Sequence, residues 1–401
     1  MKNIAIIGGG ASGMVCAIVA SQNKNNTVTI YERGKRVGKK ILATGNGRCN
    51  MTNIYADISR YHGEDTSFIN YATDNFWVGE TLDFFSELGI LYKVEDEGKV
   101  YPYSDQASAV LDVLRLKLEK NGVNIVTGFE VKDIKNQGNG FLISDYNNRC
   151  QKADCVVIAT GGKAAPDLGS NGSGYNILSR LGHHISNLSP SLVQIKTAGD
   201  IPKKLKGIKV NAAVTLGENQ ETGEVLFTDY GLSGPPVFSL SAYLDKNSKI
   251  SLDIMSEYSR TDIESLLKER ISKNPEILLE DFLVGVLNKR VGQVIIKDSG
   301  IYPLSRLACT LTDKEISDLA DKIKHWEFEI TGTMSWNNAQ VTKGGAKTRE
   351  FNPQTMESRL IKGLYAVGEV LDIDGDCGGF NLQWAWSSGY LAGSDLGGMN
   401  K

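Results

Sequence analysis

The chain has 401 residues, of which 41% are hydrophobic and 23% charged, and these ordinary globular proportions at this length predict two or three domains. The formal net charge is -3, and the short basic clusters lack interleaved aromatic residues, so nucleic acid is not an expected partner. Six scattered cysteines without a CxxC pair indicate a reducing compartment, and no N-terminal apolar run is long enough for a signal peptide or a membrane span. We therefore expect a cytoplasmic protein without a membrane partner.

The first predicted elements form a dinucleotide-binding turn. An apolar run at residues 4–7 predicts a strand, and the G-x-G-x-x-G pattern that follows opens a helix. The first glycine permits the tight turn, the second lets the backbone approach a pyrophosphate, and the third lets the helix pack on the strand. The free N–H groups of the helix N-terminus then face the phosphates. The expected contact residues of this turn are Gly8, Gly10, Ala11, Ser12 and Gly13.

A second predicted strand, at residues 28–31, ends in an acidic residue. Glu32 lies nineteen residues after Gly13, where a carboxylate accepts hydrogen bonds from both ribose hydroxyls. A second anion at the same place would be repelled, so the ribose is expected to carry no 2′-phosphate. Strand, glycines, helix, strand and acid together are a strong signal for a dinucleotide, whereas the glycine pattern alone is weak.

A polar loop at residues 39–50 combines cations, small residues and amide donors, a composition that suits the wrapping of a pyrophosphate. Arg48 would neutralise a phosphate or a substrate anion there. The alternative interpretation of the loop is a solvated basic turn. Its expected contact residues are Lys39, Lys40, Thr44, Gly45, Asn46, Gly47, Arg48, Cys49 and Asn50.

The middle of the first domain alternates helical and strand patterns. Apolar residues from Ala107 to Leu118 lie on one helical face, and Asn121-Gly122 predicts the stop. Strands are predicted at residues 124–127, 130–134 and 141–144, the last two joined through the glycine-rich turn at 137–140. Residues 154–162 predict a buried parallel strand that ends in a tight turn.

The pattern changes near residue 191. Strand-like runs at 193–195, 210–216 and 225–228 predict a β-rich module, and two capping boxes, one opening at Thr261 and one at Thr312, predict helices. Trp326, Phe328 and Ile330 return to strand periodicity. We therefore predict a discontinuous first domain at residues 1–190 and 346–401, and an inserted domain at 191–345. The insert is expected to be β-rich at about 191–255 and 325–345 and helical at about 260–322.

The C-terminal segment predicts a strand and turn at residues 363–372 and then a helix that opens near Gly379. Asp372, Asp374 and Asp376 alternate like the start of a calcium loop, but the twelfth position is Gln383 rather than glutamate. The four histidines show no metal-ligand spacing, and His183-His184 is interpreted as a helix end. No metal is expected.

Three segments, at residues 39–53, 227–235 and 363–393, resemble the bacterial NAD(P)/FAD-dependent oxidoreductase family that includes aminoacetone oxidase and the BaiN-type bile-acid reductase. The likeness covers essentially the whole chain. It implies an α/β fold, with a glutathione-reductase-type FAD-binding Rossmann-like domain and an inserted domain that is β-barrel-like plus helical. Asp229 stands where histidine is common, and Arg359 where lysine is usual, which puts the identity of the substrate in doubt.

The resemblance implies FAD as cofactor and extends the set of contact residues. Val131 would offer backbone bonds to the adenine, and the helix N-terminus at Gly379 would stabilise the negative charge that appears on a reduced flavin. The additional residues implied are Arg33, Val131, Ala159, Thr160, Gly161, Gly368, Glu369, Asp372, Gly379, Phe380, Asn381 and Leu382.

The expected function is FAD-dependent oxidation or reduction of a small molecule by hydride transfer at flavin N5. Two reactions stay open: oxidation of a small amine such as aminoacetone, and NAD(P)H-dependent reduction of an enone. No second dinucleotide turn is present, so NAD(P)H, if used, is a diffusible co-substrate. Arg48, Asp229 and Tyr230 are candidate substrate contacts, and no catalytic residue is assigned. The alternatives are a flavin-dependent RNA-modifying protein, which the missing basic patch disfavours, and a non-catalytic flavin sensor.

Overall fold

A computed structural model describes residues 1–244 and 249–399. Its strands are β1 Lys2–Ile7, β2 Asn26–Glu32, β3 Thr52–Asn53, β4 Tyr61–His62, β5 Tyr92–Val94, β6 Lys99–Pro102, β7 Asn124–Thr127, β8 Val131–Asn136, β9 Phe141–Asp145, β10 Cys150–Ala153, β11 Cys155–Ile158, β12 Ser189–Ser191, β13 Ile195–Thr197, β14 Lys209–Leu216, β15 Asn219–Phe227, β16 Gly231–Ser233, β17 Lys249–Asp253, β18 Trp326–Thr333, β19 Val341–Lys343, β20 Leu364–Ala366 and β21 Asp374–Gly375. Its α-helices are α1 Ala11–Ala20, α2 Asn70–Asn75, α3 Val78–Glu87, α4 Ala107–Asn121, α5 Ser173–Arg180, α6 Ile201–Lys204, α7 Pro235–Leu240, α8 Arg260–Lys273, α9 Lys289–Asp298, α10 Asp313–Lys324 and α11 Phe380–Gly397.

The chain divides into two compact units. The first consists of Met1–Ser191 together with the segment that begins at Ser335, and the second is Leu192–Met334. The first unit resumes earlier than the predicted residue 346, because β19 pairs with β12 and so belongs to the first unit rather than to the insert. The sequence could not show this pairing, since the two strands are separated by the whole insert.

The first unit is built on a five-stranded parallel sheet of order β20-β11-β1-β2-β7. β1 lies at its centre, with Ile4 opposite Cys155 on one side and Val28 on the other. The three strands β20, β11 and β1 are apolar and largely buried, as expected of a parallel sheet covered on both faces, whereas the edge strand β7 is mostly exposed. Because all five strands run the same way, their carboxyl ends meet at one edge, and the turns after β1, β2 and β11 lie there together.

Two helices from distant parts of the sequence pack closely against each other in the first unit. α1 and α11 are buried along most of their length. A Cβ added to Gly389 of α11 would lie 2.4 Å from the carbonyl oxygen of Ser12, and one added to Gly393 would lie 2.7 Å from Cβ of Val19. Glycine at these positions therefore allows the two helix backbones to approach each other.

The helix and strands predicted for the middle of the first unit are confirmed at their predicted positions. α4 runs from Ala107 to Asn121 and ends at Gly122, which has φ 75°. β8 and β9 form the predicted hairpin, and β10 completes an antiparallel three-stranded sheet with them. The strand expected at 154–162 is β11, which is fully buried.

The second unit contains a closed six-stranded barrel of order β13-β16-β15-β14-β17-β18. Its core includes Phe227, Trp326 and Phe328, whose rings contact one another. The predicted cap at Thr312 is confirmed, since its side chain accepts a hydrogen bond from the Glu315 N–H at 3.2 Å. The cap predicted at Thr261 is wrong: the neighbouring hydroxyl of Ser259 caps α8 and pairs reciprocally with Asp262. Within residues 1–244 and 249–399, no helix has the length and apolarity needed to cross a membrane.

Candidate cofactor site

The turn after β1 assigns different roles to three of its glycines, Gly8, Gly10 and Gly13. Gly8 has φ 110°, and a Cβ there would lie 2.4 Å from the carbonyl oxygen of Ala159. A Cβ on Gly13 would lie 2.1 Å from the carbonyl oxygen of Gly8. Gly10 differs, because nothing lies within 4 Å of the position that its Cβ would take. Two glycines therefore serve packing within the protein, and the third leaves open space at the start of α1.

The N-terminus of α1 adjoins that open space. Gly10 is the N-cap residue and makes no side-chain cap, so the first-turn N–H groups, including those of Ala11 and Ser12, have no capping acceptor from it. The Ser12 hydroxyl points elsewhere and donates weakly to the Val367 carbonyl oxygen at 3.4 Å. An uncapped helix N-terminus beside a glycine is a suitable place for a phosphate.

Glu32 is the last residue of β2, at the same edge of the sheet. Its Oε2 accepts a hydrogen bond from the Gly9 N–H at 2.9 Å, and its Oε1 accepts one from the Gly34 N–H at 2.6 Å. Each carboxylate oxygen can accept a second hydrogen bond. The side chain is thus held in one orientation by the backbone and still has capacity for ribose hydroxyls. Its neighbour Arg33 pairs at 3.4 Å with Glu130.

The loop at residues 39–50 is ordered by its own backbone. Gly45 and Asn46 both have φ 55°, and Thr44 accepts a hydrogen bond from the Cys49 N–H at 3.0 Å. Cys49 is completely buried, which raises the pKa of its thiol to about 12, so it is not a nucleophile at neutral pH. Gly47 lies in the same turn with φ 86°.

The two lysines of this loop are anchored within the first unit. Lys40 Nζ lies 2.7 Å from Glu369 Oε2, and Lys39 Nζ donates to the Asp167 carbonyl oxygen at 2.5 Å. Glu369 also accepts a hydrogen bond from the Thr342 N–H at 2.9 Å. Lys40 therefore connects the loop to the turn after β20.

Arg48 lies in a cluster of charged side chains. Its guanidinium pairs with Glu95 at 2.5 Å and with Asp105, and Lys93 pairs with the same two carboxylates. Lys93 and Arg48 hold the pKa of Asp105 below its usual value. A phosphate would have to compete with these two carboxylates, and the role of Arg48 in neutralising a phosphate stays a prediction.

The same cluster borders a cavity of about 400 Å³. The guanidinium carbon of Arg48 lies 3.9 Å from the centroid of the Tyr101 ring. The cavity is lined by Arg48, Glu95, Asp96, Lys99 and Tyr101. It is a polar recess of mixed charge within the first unit.

The turns after β11 and β20 complete the same edge of the sheet. Ala159 donates its N–H to the Ile7 carbonyl oxygen at 2.9 Å, and Gly161 has φ 68°. The Thr160 hydroxyl donates to the Gly161 carbonyl oxygen at 3.3 Å. Gly368 donates its N–H to Ser388 Oγ of α11 at 2.9 Å. Val131 is a buried residue at the start of β8.

The start of α11 is held close to the 39–50 loop. A Cβ on Gly379 would lie 2.6 Å from the Thr52 carbonyl oxygen and 3.0 Å from Asn50 Oδ1. Gly379 is the N-cap residue of α11 and provides no side-chain cap. The Asn381 side chain bonds back to both Gly375 backbone groups, at 2.9 and 2.7 Å. Phe380 and Leu382 occupy the first turn.

Buried polar atoms without a hydrogen-bond partner lie in this region. Among the residues that the structure describes, Asn50 Oδ1, Asp372 Oδ2 and both carboxyl oxygens of Asp374 are in this state. Buried polar atoms in native proteins are nearly always paired with protein groups, water or a ligand, so these atoms are places where a bound ligand can supply the hydrogen-bond partner. Together with the open space at Gly10, they fit a large polar cofactor. From the sequence, Asp374 was considered only as a possible calcium ligand. The alternation of Asp372 and Asp374 was the one sequence signal that could have pointed to a polar site here.

The remaining candidates lie elsewhere. Asp229 and Tyr230 belong to the second unit, in the turn between β15 and β16, where Asp229 pairs with Lys206 at 2.7 Å. His183, interpreted from sequence as part of a helix end, lies after α5 in a buried chain of hydrogen bonds. Its Nδ1 is 3.0 Å from Glu350 Oε2, and its Nε2 is 3.0 Å from Ser358 Oγ. Within the described ranges, no group of three His, Cys, Asp or Glu side chains is arranged to hold a metal.

This chain is similar to two characterised proteins in sequence and to a solved structure in fold. A 3-dehydro-bile acid delta(4,6)-reductase from Clostridium scindens is 41% identical over 408 residues, covering 98% of both chains. A ribosomal RNA dihydrouridine synthase from Escherichia coli is 32% identical over 397 residues, covering 98% of this chain and 97% of that protein. The Mycobacterium smegmatis Sdh1 complex in the apo form shares the fold, with a TM-score of 0.51, 15% identity, and coverage of 99% of this chain and 68% of that one.

The parallel sheet, its glycine turn and the inserted barrel define a Rossmann-like flavoprotein, and the predicted α/β fold class is confirmed. The family model described as HI0933-like protein Rossmann domain matches residues 2–395. The chain belongs to this family, which confirms the resemblance found in the sequence. It is an enzyme of the FAD-dependent oxidoreductase class.

Proposed function

We propose that this protein is an FAD-dependent reductase that delivers a hydride to a carbon–carbon double bond conjugated with a carbonyl group, with NAD(P)H as diffusible reductant. The observation that carries the proposal is the chemistry shared by two full-length relatives. A 3-dehydro delta(4,6) steroid acid and a uridine both contain such a double bond, and the names of the two relatives describe its reduction. Oxidation of a small amine has no comparable support.

The residues of the first unit fit the cofactor that this reaction needs. The chemistry that FAD supplies when bound is the storage and transfer of a hydride at N5. The turn from Gly8 to Gly13 and the N-terminus of α1 would hold the pyrophosphate, and Glu32 would hold the adenosine ribose. Glu369 and the N-terminus of α11 would hold the flavin end, where the helix amides favour negative charge.

The substrate side is proposed from the cavity beside Arg48. Arg48 and Lys99 contribute positive charge there, and Glu95 and Asp96 contribute negative charge. A small polar or anionic molecule would bind by exchanging one of these internal pairs for a pair with its own charged group. Asp229 and Tyr230 stay candidate contacts from the second unit.

A second candidate is reduction of a uridine in ribosomal RNA, because the relative from Escherichia coli is named for that activity. The composition of this chain favours a small substrate, since its net charge is -3 and RNA binding depends on clustered positive charge. In both candidate functions the enzyme reduces a conjugated double bond. They differ in the substrate, which is a small molecule in the first and a uridine within ribosomal RNA in the second.

One anaerobic experiment separates these possibilities. FAD-loaded protein is titrated with NADH or NADPH until the flavin absorption bleaches, and then mixed with a steroid enone, with ribosomal RNA, or with no acceptor. Recovery of the flavin absorption with the enone alone supports the proposal, and recovery with RNA alone supports the second candidate. Bleaching by aminoacetone instead of by NAD(P)H would contradict both and favour an amine oxidase.

A further inference from the structure

Asp374 is a buried carboxyl group whose surroundings differ from those of the buried aspartates Asp145 and Asp376. Its side chain is in β21, is 1% exposed, and neither oxygen has a hydrogen-bond partner among the described residues. Asp145, equally buried at 1%, accepts hydrogen bonds from the Asn147 N–H, the Arg149 N–H and Arg149 Nε. Two residues along, Asp376 lies 2.8 Å from His62 Nε2. Asp374 therefore lacks a partner that the fold supplies to comparable groups.

Charges of both signs act on Asp374. His62 from β4 and Lys343 from β19 favour its ionised form, whereas Asp372 and Glu369 oppose it. The first turn of α11 contributes no acidic side chain. Burial is the largest effect and raises the pKa of Asp374 to about 7. Near neutral pH this carboxyl group is therefore available in its protonated form.

The position of Asp374 indicates what the missing partner is. Glu369, which Lys40 links to the 39–50 loop, is among the charges that act on Asp374. The neighbouring Gly375 packs on the first turn of α11, where an added Cβ would lie 2.8 Å from Cβ of Phe380. The adjacent Gly375 is fixed by the Asn381 side chain, so β21 cannot turn its carboxyl group away freely. Asn50 Oδ1, another unpartnered atom, lies at Gly379. Unpartnered groups from β21 and from the 39–50 loop thus both lie near the start of α11, which is proposed to hold the flavin end.

We propose that Asp374 faces the flavin as a neutral carboxylic acid and that its ionisation sets how the reduction potential of the bound FAD depends on pH. The inference rests on the proposed function, because it requires FAD in the first unit. A protonated carboxyl group can donate a hydrogen bond to a site where negative charge develops. Its ionised form has no proton to donate and would repel that charge.

The sign of the effect follows from linkage. Negative charge that appears on reduction opposes ionisation of Asp374, so its pKa is higher in the reduced protein than in the oxidised protein. Between these two values, reduction takes up one additional proton. In that range the midpoint potential of the wild-type protein falls more steeply with pH, by about 30 mV per pH unit, which is a tenfold change in a two-electron equilibrium.

The experiment compares FAD-loaded wild type with D374N, which keeps a hydrogen-bond donor but cannot ionise, and with D83N. Asp83 is an exposed aspartate of α3, so D83N controls for the loss of a carboxylate elsewhere. Midpoint potentials are measured across the pH range that brackets the Asp374 pKa of about 7. We expect wild type and D83N to show the steeper segment and D374N to lack it. D374A should also bind FAD about tenfold more weakly, through the lost hydrogen bond.

The possible results are distinct. Parallel potential lines for wild type and D374N overturn the inference and leave the proposed function intact. Wild-type protein that takes up no flavin overturns both. If D374N does not fold, proton uptake during reduction of the wild-type holoprotein decides the question. An additional proton above pH 7 supports the inference, and its absence overturns it.

Discussion

At the scale of single residues, Glu32 combines two tasks that are usually separate. Its carboxylate closes the turn by accepting the Gly9 and Gly34 N–H groups, and its remaining lone pairs are proposed to bind the ribose. A change at this position therefore disturbs both the protein and its ligand.

Glu32→Ala should weaken FAD binding by at least about tenfold, because it removes a charged acceptor and leaves two N–H groups without their partner. Flavin retained after gel filtration and the dissociation constant of reconstituted protein are the measurements. Glu119→Ala, at an exposed position of α4, serves as control and should bind FAD like wild type. Equal retention in both variants would contradict the ribose role.

The buried chain Glu350–His183–Ser358 predicts a pH effect on stability. Burial lowers the pKa of His183 below its ordinary value of 6.5, so the folded protein favours the neutral ring. A group with a lowered pKa contributes its full stability above pH 6.5 and loses it as the pH falls below that value. The ring also stacks on Phe351, with centroids 4.5 Å apart.

His183→Ala should lower the free energy of unfolding by about 2 kcal/mol at neutral pH and should remove part of the destabilisation at mildly acidic pH. Urea titrations of wild type and variant at several pH values measure both effects. His325→Ala, at the exposed end of α10, is the control. An unchanged pH profile in His183→Ala would show that another group carries the acid sensitivity.

A residue's role could be predicted from the sequence when it depends on residues close to it along the chain. The glycine turn and Glu32 could be predicted because their spacing along the chain determines their geometry. The partners of Arg48 could not, since Glu95 and Asp105 come from later elements and show no pattern with it. The unpartnered oxygens of Asp374 were equally invisible, because burial without a partner is a property of the folded chain.

At the scale of elements, α1 and α11 pack so closely that a side chain on Gly389 would not fit between them. It depends on Gly389, where a Cβ would meet the Ser12 carbonyl oxygen at 2.4 Å. That oxygen is main chain and belongs to the first turn of α1, so it cannot move without shifting the turn.

Gly389→Ala should cost about 1–3 kcal/mol of stability and should release FAD, because the added methyl group separates α1 from α11. Gly79→Ala is the matched control: Gly79 is also helical, but nothing lies within 4 Å of its added Cβ. That control should be neutral or stabilising by up to about 1 kcal/mol, through higher helix propensity. Thermal unfolding with and without FAD measures both variants. A similar loss in the two would contradict the packing argument.

Helices and strands whose own sequence carries a clear pattern and a stop signal were predicted well. α4 combines a clear apolar face with an Asn-Gly stop, and the structure ends it at Gly122. The start of α8 was missed by two residues because Ser259 and Thr261 both offer capping hydroxyls, and only Ser259 is paired reciprocally with Asp262. Closure of the barrel between β13 and β18 could not be predicted from periodicity, since it joins strands far apart in sequence.

At the scale of the whole molecule, the proposed site draws its residues from the first and last parts of the described chain. Binding of FAD should therefore slow the hydrogen exchange of backbone amides in three separate segments together, at residues 8–13, 39–50 and 368–382. Amides of β14 and β15, inside the barrel, provide the reference. Mass spectrometry of exchange with and without FAD tests this. Protection limited to the first segment would show that α11 does not contribute to the binding of the cofactor.

The arrangement also has a consequence for biosynthesis. α1 leaves the ribosome early, whereas α11 is made only after the complete second unit, Leu192–Met334, which has its own core. Domains generally fold as units during translation, so the barrel can be finished while the central sheet of the first unit still waits for β20 and its covering helix. A message cut short after the barrel would yield a folded but colourless fragment. Flavin absorption that copurifies with this protein would accordingly report that translation had reached α11.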